Sequence, residues 1–305
     1  MELYPLSDSL PLEPTVVTVG TFDGVHLGHQ KIITRLLEIA KREGKKTCIL
    51  TFFPHPRMVL KPDSNIQLLQ TIEERKNELK QLGIDHVVIL KFNEQFSELT
   101  AEEYIKQFLL DQLKMSYMII GYDHKFGKNR GAGIEELKYW GKKLNFDVEE
   151  ISAKDIDEVS VSSTKIRNHL LNGEVEKASA FLGHPYYING IVVKGEGIGK
   201  DLGFPTANIE VTESYKLIPS MGVYAVRVVI SETLYPGMLN IGFNPTFKDR
   251  SKSIEVNIFN FNRDIYGEPI KVLFVKWMRD ELKFATVEDL TNQLKKDKES
   301  ALKLL

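Results

Sequence analysis

Val16-Val17-Thr18-Val19 runs directly into Gly20-Thr21-Phe22-Asp23-Gly24-Val25-His26-Leu27-Gly28-His29, and this join decides the reading of the first half of the chain. Four β-branched residues make a strand. The glycines make a tight loop, and Gln30 to Arg42, with Ile32, Ile33, Leu36, Leu37 and Ala40 at helical spacing, makes a helix that Gly44 ends. A glycine-rich turn between a strand and a helix is a phosphate cradle. The backbone can approach an anion closely, and the helix start offers unpaired N–H groups and the positive end of its dipole. His26 and His29, three residues apart, can face one ligand. A lone histidine here would read as a cap or a satisfied polar group; two bracketing a glycine favour function. Zinc fits less well. The Glu of a His-Glu-x-x-His helix is missing, no cysteine is near, and a third ligand would have to come from Asp23 or a distant residue such as His55.

Outward from this join, strands and helices alternate, as in βαβ units with a parallel sheet. Lys46 to Phe53, Val87 to Leu90 and Met118 to Ile120 are predicted strands. Glu73 to Leu82, Ala101 to Leu113 behind a Thr100/Glu103 capping box, Ile134 to Lys143 and Lys165 to Leu171 are predicted helices. After Gly183 the pattern becomes short strands and turns: Tyr186 to Val193, Tyr224 to Ile230, Tyr235 to Ile241, Ile254 to Phe261 and Ile270 to Trp277. That is a second domain, a small antiparallel barrel or sandwich, with a closing helix from Val287 to about Leu304 capped by Thr286. The expected division is 1–184 and 185–305, with a short linker near Gly183-His184-Pro185.

Composition narrows the function. The 305 residues carry 40 basic and 42 acidic side chains, a net charge of −2, with 42% hydrophobic residues; this is a globular composition without broad attraction for nucleic acid. No apolar run is long enough for a membrane span, and the first basic residue is Lys31, so a cytoplasmic protein without a signal peptide or membrane partner is expected. The single cysteine, Cys48, lies in an apolar run and reads as an inert buried thiol.

Two further stretches carry chemistry. Ser162-Ser163-Thr164-Lys165-Ile166-Arg167 puts hydroxyls at a helix start and two cations in its first turn, which suits phosphate and a leaving pyrophosphate but equally describes a serine-rich cap followed by solvated bases. Gly190, Gly195, Gly197, Gly199 and Gly203 run into Phe204-Pro205-Thr206-Ala207-Asn208. Backbone amides of such a loop can wrap phosphates, although it is no P-loop and glycines alone mark hairpin turns.

His-x-Gly-His with the Ser163–Arg167 stretch resembles the nucleotidyltransferase superfamily. With Thr51-Phe52-Phe53-Pro54-His55-Pro56 and Gly121-Tyr122-Asp123-His124-Lys125-Phe126-Gly127, it resembles more narrowly the adenylyltransferase half of the prokaryotic bifunctional riboflavin kinase/FMN adenylyltransferases. The resemblance implies a Rossmann-like domain in which His26, His29 and Arg167 act in catalysis. Gly20, Phe22, Asp23, Gly24, Gly28, Ser163 and Thr164 would bind ATP, and Asp123 and Phe126 would border the flavin. The family usually has Asp where this chain has Phe53.

Pro205-Thr206-Ala207-Asn208, Gly222-Val223-Tyr224, Asn240-Ile241-Gly242-Phe243-Asn244-Pro245-Thr246-Phe247, Ile254-Glu255-Val256-Asn257 and Asp264-Ile265-Tyr266-Gly267 resemble the riboflavin kinase domain, a six-stranded antiparallel barrel with a terminal helix. This implies Glu255 as base, Thr206 and Asn208 on Mg²⁺, Gly195, Gly197 and Gly199 around ATP, and Arg279 and Phe284 near the flavin. Ile198 and Lys200 stand where arginines are common, and Asn257 where His is frequent. The implied activities convert riboflavin to FMN and FMN to FAD with ATP and Mg²⁺; oligomeric state is not legible. The rivals are a monofunctional adenylyltransferase with an inactive barrel, a flavin-binding regulator, and a nucleotidyltransferase for another phosphate-bearing substrate.

Overall fold

A computed structural model describes the chain except residues 1–2, 6–9, 122–124, 129–130, 153–160, 196–198, 200–201 and 244–251. Two compact units are present, Met1–Ser163 and Thr164–Leu305.

The first unit is a six-stranded sheet in the order β1-β4-β3-β2-β5-β6. Its strands are β1 (Leu3–Pro5), β2 (Thr15–Val19), β3 (Lys46–Phe53), β4 (His86–Lys91), β5 (Met115–Gly121) and β6 (Asp147–Ile151). β2 to β6 are parallel, as expected; β1 adds an antiparallel edge on β4. Every residue of β2 is buried, because a central parallel strand is covered on both faces. Period two then sorts side chains: Val17, Val19, Cys48, Leu50, Met118 and Ile120 enter one core cluster, and Val16, Ile49, Val87 and Ile119 the other.

Helix α1 (Leu27–Glu43) buries Ile33, Leu36, Ile39 and Ala40 and ends on Gly44 in the left-handed conformation, φ 64°, the geometry glycine adopts without strain. α2 (Pro56–Leu60), α3 (Ile72–Gln81), α4 (Glu94–Ser97), α5 (Ala101–Tyr104) and α6 (Ile134–Leu144) follow. The helix expected over 101–113 starts on the Thr100/Glu103 capping box but widens to a π-helix over Ile105–Leu110. Bonds of i+5 type from Asp111 N to Lys106 O and Leu113 N to Phe108 O, both 3.0 Å, mark it. From β2 the chain steps to β3 and β4 on one side, then crosses to β5 on the other. The end of β2 is therefore a topological switch point, where open α/β sheets bind ligands, and Gly20–His26 occupies it.

The second unit begins with α7 (Ser163–Leu171, whose first residue closes the first unit) and α8 (Val175–Leu182). Both lie against the barrel: Leu170 O accepts from Ser220 N at 3.1 Å, and Glu176 pairs with Lys276 at 3.1 Å. The barrel closes in the order β10-β11-β8-β7-β12-β9. Its strands are β7 (Tyr187–Val193), β8 (Ala207–Glu210), β9 (Gly222–Ile230), β10 (Thr233–Phe243), β11 (Lys252–Ile258) and β12 (Pro269–Arg279). Alternation along β12 turns Ile270, Val272 and Phe274 inward. The expected barrel is present, and the strand that pattern reading misses is β8, which begins within Pro205–Asn208 and runs on to Glu210. α9 (Val287–Leu304), capped by Thr286 accepting from Asp289 N, brings Ala301 onto Phe204, Ala225, Met238 and Phe259.

Candidate active sites

The loop after β2 is tightly wound. Phe22, Gly24 and Val25 have φ of 47°, 89° and 36°; glycine takes such values freely, whereas a residue with a side chain is strained by about 1–3 kcal/mol. Gly20 donates to Leu50 O at 3.1 Å, and a Cβ there would sit 3.1 Å from the Phe22 ring. Gly28 is buried in the first turn of α1.

His26 caps α1: its Nδ1 accepts from His29 N at 3.3 Å. An accepting Nδ1 is unprotonated, so in the neutral ring the proton sits on Nε2, as a donor. The two imidazoles stack with centroids 3.7 Å apart, and Phe22 lies 4.9 Å from His29. Burial, then His26, then the Arg75 cation hold His29 well below its ordinary value of 6.5. His29 therefore stays neutral at pH 7, and its Nδ1 meets no hydrogen-bond partner among the described residues.

Asp23 turns the other way. It is fully buried, and its carboxylate accepts from Leu69 N at 3.1 Å and Gln70 N at 3.2 Å and pairs with Arg75 at 3.3 Å. Gln70 Oε1 accepts from Gly24 N at 3.1 Å, and its amide donates to Glu78. The structure thus joins Asp23 to interior partners. Arg75 and Gln70 are contributors that the motif reading missed. The signal was present: Arg75 occupies an apolar-face position between Ile72 and Leu79 of α3.

Ser163 Oγ donates to Asp23 O at 2.9 Å. Thr164 and Arg167 continue α7 into the second unit, with Arg167 buried there. Asp123 lies outside the described residues. Phe126 bridges Ala132 and packs 5.8 Å from the buried Tyr104, whose hydroxyl has no partner among the described residues. His55 caps α2, accepting from Arg57 N at 3.1 Å.

In the barrel, register makes one row of Val193, Asn208, Glu255 and Asn240 across β7, β8, β11 and β10, and neighbours in a row share a face. Thr206 Oγ1 donates to the Glu255 carboxylate at 3.3 Å, and Asn257, two residues along β11, donates to Pro205 O at 2.6 Å. Both bonds fix the Pro205–Asn208 turn to β11. A Cβ at Gly195 would overlap the Asn208 amide, and one at Gly199 would overlap Phe204 O, so only glycine fits at these two close approaches. Gly197, Ile198, Lys200 and the Asn244–Phe247 motif lie outside the described residues.

Arg279 is committed to α9. Its guanidinium grips Asp297 with bonds of 2.6 to 3.2 Å and donates to Asp280 O at 2.8 Å. Phe284 is half-buried in the segment before α9. Asn240 donates to Glu281 at 3.2 Å, tying that segment to the row that holds Glu255.

Thr206, Asn208 and Glu255 offer hard oxygen donors around one short turn. That set suits Mg²⁺, which takes one or two protein oxygens and fills its shell with water and phosphate. No group of three His, Cys, Asp or Glu able to hold a metal occurs among the described residues.

A nucleotide-type switch-point loop and a closed barrel with a carboxylate beside a hydroxyl define a two-domain transferase acting on phosphate compounds. Residues 9–165 match the FAD synthetase family and residues 182–305 the riboflavin kinase family. The chain is 39% identical to the bifunctional riboflavin kinase/FMN adenylyltransferase of Bacillus subtilis over 95% of its length and 92% of that protein. It is 32% identical to that of Escherichia coli strain K12, over 95% and 93%. A crystal structure described as a macrolide-efflux protein from Streptococcus pneumoniae superposes with a TM-score of 0.88 at 33% identity, covering 96% of this chain and 95% of that one. The chain belongs to the bifunctional riboflavin kinase/FMN adenylyltransferase family. No helix among the described residues is long and apolar enough to cross a membrane.

Proposed function

We propose that residues 1–184 adenylylate FMN at the His26/His29 loop and residues 185–305 phosphorylate riboflavin beside Glu255. The observation that carries the reading is the pair of stacked imidazoles at the start of α1.

In adenylyl transfer an FMN phosphate oxygen attacks the α-phosphorus of ATP, a new P–O bond forms, and the bond to pyrophosphate breaks. The nucleophile is already an anion, so no base is needed. The protein aligns two phosphates and meets the charge that builds between them. The Nε2–H of His26, an N–H of the neutral His29 ring and the positive end of the α1 dipole meet that charge. Ser163, Thr164 and Arg167 hold the triphosphate end, and Asp123 and Phe126 border the flavin.

In the barrel, Glu255 takes the proton of the riboflavin 5′-hydroxyl as that oxygen attacks the γ-phosphorus of ATP; the new P–O bond forms as the bond to ADP breaks. Thr206 and Asn208 would hold Mg²⁺, which when bound offsets charge on the transferred group. The Thr206 hydroxyl orients the Glu255 carboxylate through its hydrogen bond. Gly195, Gly197 and Gly199 bind the nucleotide phosphates, while Arg279 and Phe284 frame the flavin side through the segment that Arg279 pins to α9. Matches to both families favour this reading over an inactive barrel.

Chromatography of products from riboflavin, ATP and Mg²⁺ beside a reaction started from FMN tests the proposal. FMN followed by FAD in the first, and FAD alone in the second, are expected. Conversion of FMN with none of riboflavin would refute the barrel's part.

A further inference from the structure

We propose that Arg75 is a positioning residue for adenylyl transfer, holding the loop that carries His26 and His29 from two sides at once. The inference rests on the reading of that loop as the adenylyl-transfer site.

Arg75 lies one turn into α3, whose start is fixed by a reciprocal Thr71/Glu74 capping box. Its guanidinium is 1% exposed and reaches in two directions. Nη2 binds Asp23 at 3.3 Å, and Nη1 binds Thr51 Oγ1 at 3.4 Å. Asp23 stands between Phe22 and Gly24 in the left-handed stretch of the loop, and Thr51 Oγ1 donates in turn to Thr21 O at 3.0 Å. One planar fork thus grips the loop at residue 23 directly and at residue 21 through Thr51. Lysine, a single point charge, cannot reproduce two directed contacts. The neighbouring Gln70 adds a third tie, to Gly24 N.

Stability alone does not explain this design. A buried ion pair is a weak stabiliser compared with apolar packing of the same volume, whereas a loop with strained φ at Phe22 and Val25 needs bonds that over-determine its shape. The loop ends at the His26 cap, so its shape sets where the two imidazoles stand. Arg75 touches no reacting atom in this account; it acts through Asp23 and Thr51.

The test uses the full chain, with its riboflavin kinase activity as an internal control. Arg75→Met should lower kcat for FAD formation from FMN about 100-fold, the cost of misplacing aligned groups by about 1 Å, with KM for ATP changed far less. Arg75→Lys should recover about tenfold of that loss by restoring one contact. Thr51→Val, similar in shape, should lower kcat about fivefold by removing the hydroxyl that joins Arg75 to Thr21 O, and with it two bonds. Kinase turnover should stay at the wild-type level in all three.

If Arg75→Met unfolds the first unit, Arg75→Lys and Thr51→Val decide. Wild-type kcat in both would overturn the inference. So would a rise in KM for ATP with unchanged kcat, since that describes lost binding and not lost alignment. A His29→Ala control separates the two levels: if it forms FAD at the wild-type rate, the reading of the site fails; if it is inactive while the Arg75 and Thr51 variants are normal, only the positioning role fails.

Discussion

The imidazoles of His26 and His29 stack 3.7 Å apart, 14° from parallel, with Nδ1 of the first accepting the backbone N–H of the second. That relationship fixes Nδ1 of His26 as the acceptor and places both rings at one helix start. It also separates their work from that of the barrel, which has its own carboxylate.

His29→Ala should cut FAD formation from FMN by about 10²–10³-fold, the usual loss for one transition-state donor. FMN formation from riboflavin should be unchanged. Separate assays of the two steps on one preparation check this.

Glu255→Gln should have the reverse effect. Loss of the base should slow FMN formation about 10²–10⁴-fold, while the retained shape still accepts the Thr206 hydroxyl. FAD formation from supplied FMN should continue at the wild-type rate.

Legibility followed sequence distance. The strand, glycine loop, His26 and His29 are contiguous, so local pattern exposed them, and the β-branched run of β2 and the alternation of β12 did the same for sheet and barrel. Asp23 was legible only as a member of the loop, because its partners Leu69, Gln70 and Arg75 lie 46 to 52 residues away. β8 was hidden by its shortness: it pairs with β11 through only Asn208 and Ala207, and its neighbouring Pro and Thr read as a turn. Arg279 was legible as part of a motif, but its grip on Asp297 depends on how α9 returns to the barrel.

The His29 shift fixes a sign for acid stability. Its folded value lies below the unfolded one, so between the two the unfolded chain binds a proton that the folded chain refuses. Stability from this group is complete above about pH 6.5, the unfolded value, and falls as pH drops through the folded value. Denaturant unfolding of the first unit at pH 7 and pH 5 should show a smaller loss for His29→Asn than for the wild type.

Cys48 is wholly buried in β3, and burial pushes its thiol up to about 12. A thiol reagent at pH 8 should leave it unmodified in the native protein and label it fully in denaturant. Rapid labelling of the folded chain would contradict its place in the core.

Asn257→Ala should strip the bond that holds Pro205 O and leave a carbonyl without its partner, costing about 1–3 kcal/mol. Because that turn leads into Thr206, the KM for Mg-ATP in riboflavin phosphorylation should rise. Thermal unfolding and kinase kinetics on the same variant measure the two effects.

The central claim is that two separate sites on one chain carry the two reactions in succession, and complementation tests it most directly. His29→Ala and Glu255→Gln are each incubated alone, and then together, with riboflavin, ATP and Mg²⁺, and the flavins are separated by chromatography. The account predicts FMN with at most trace FAD from the first, at most traces of either product from the second, and rapid FAD formation from the mixture. FAD from either variant alone at the wild-type rate, or none from a mixture of two folded proteins in which FMN has accumulated, would contradict it.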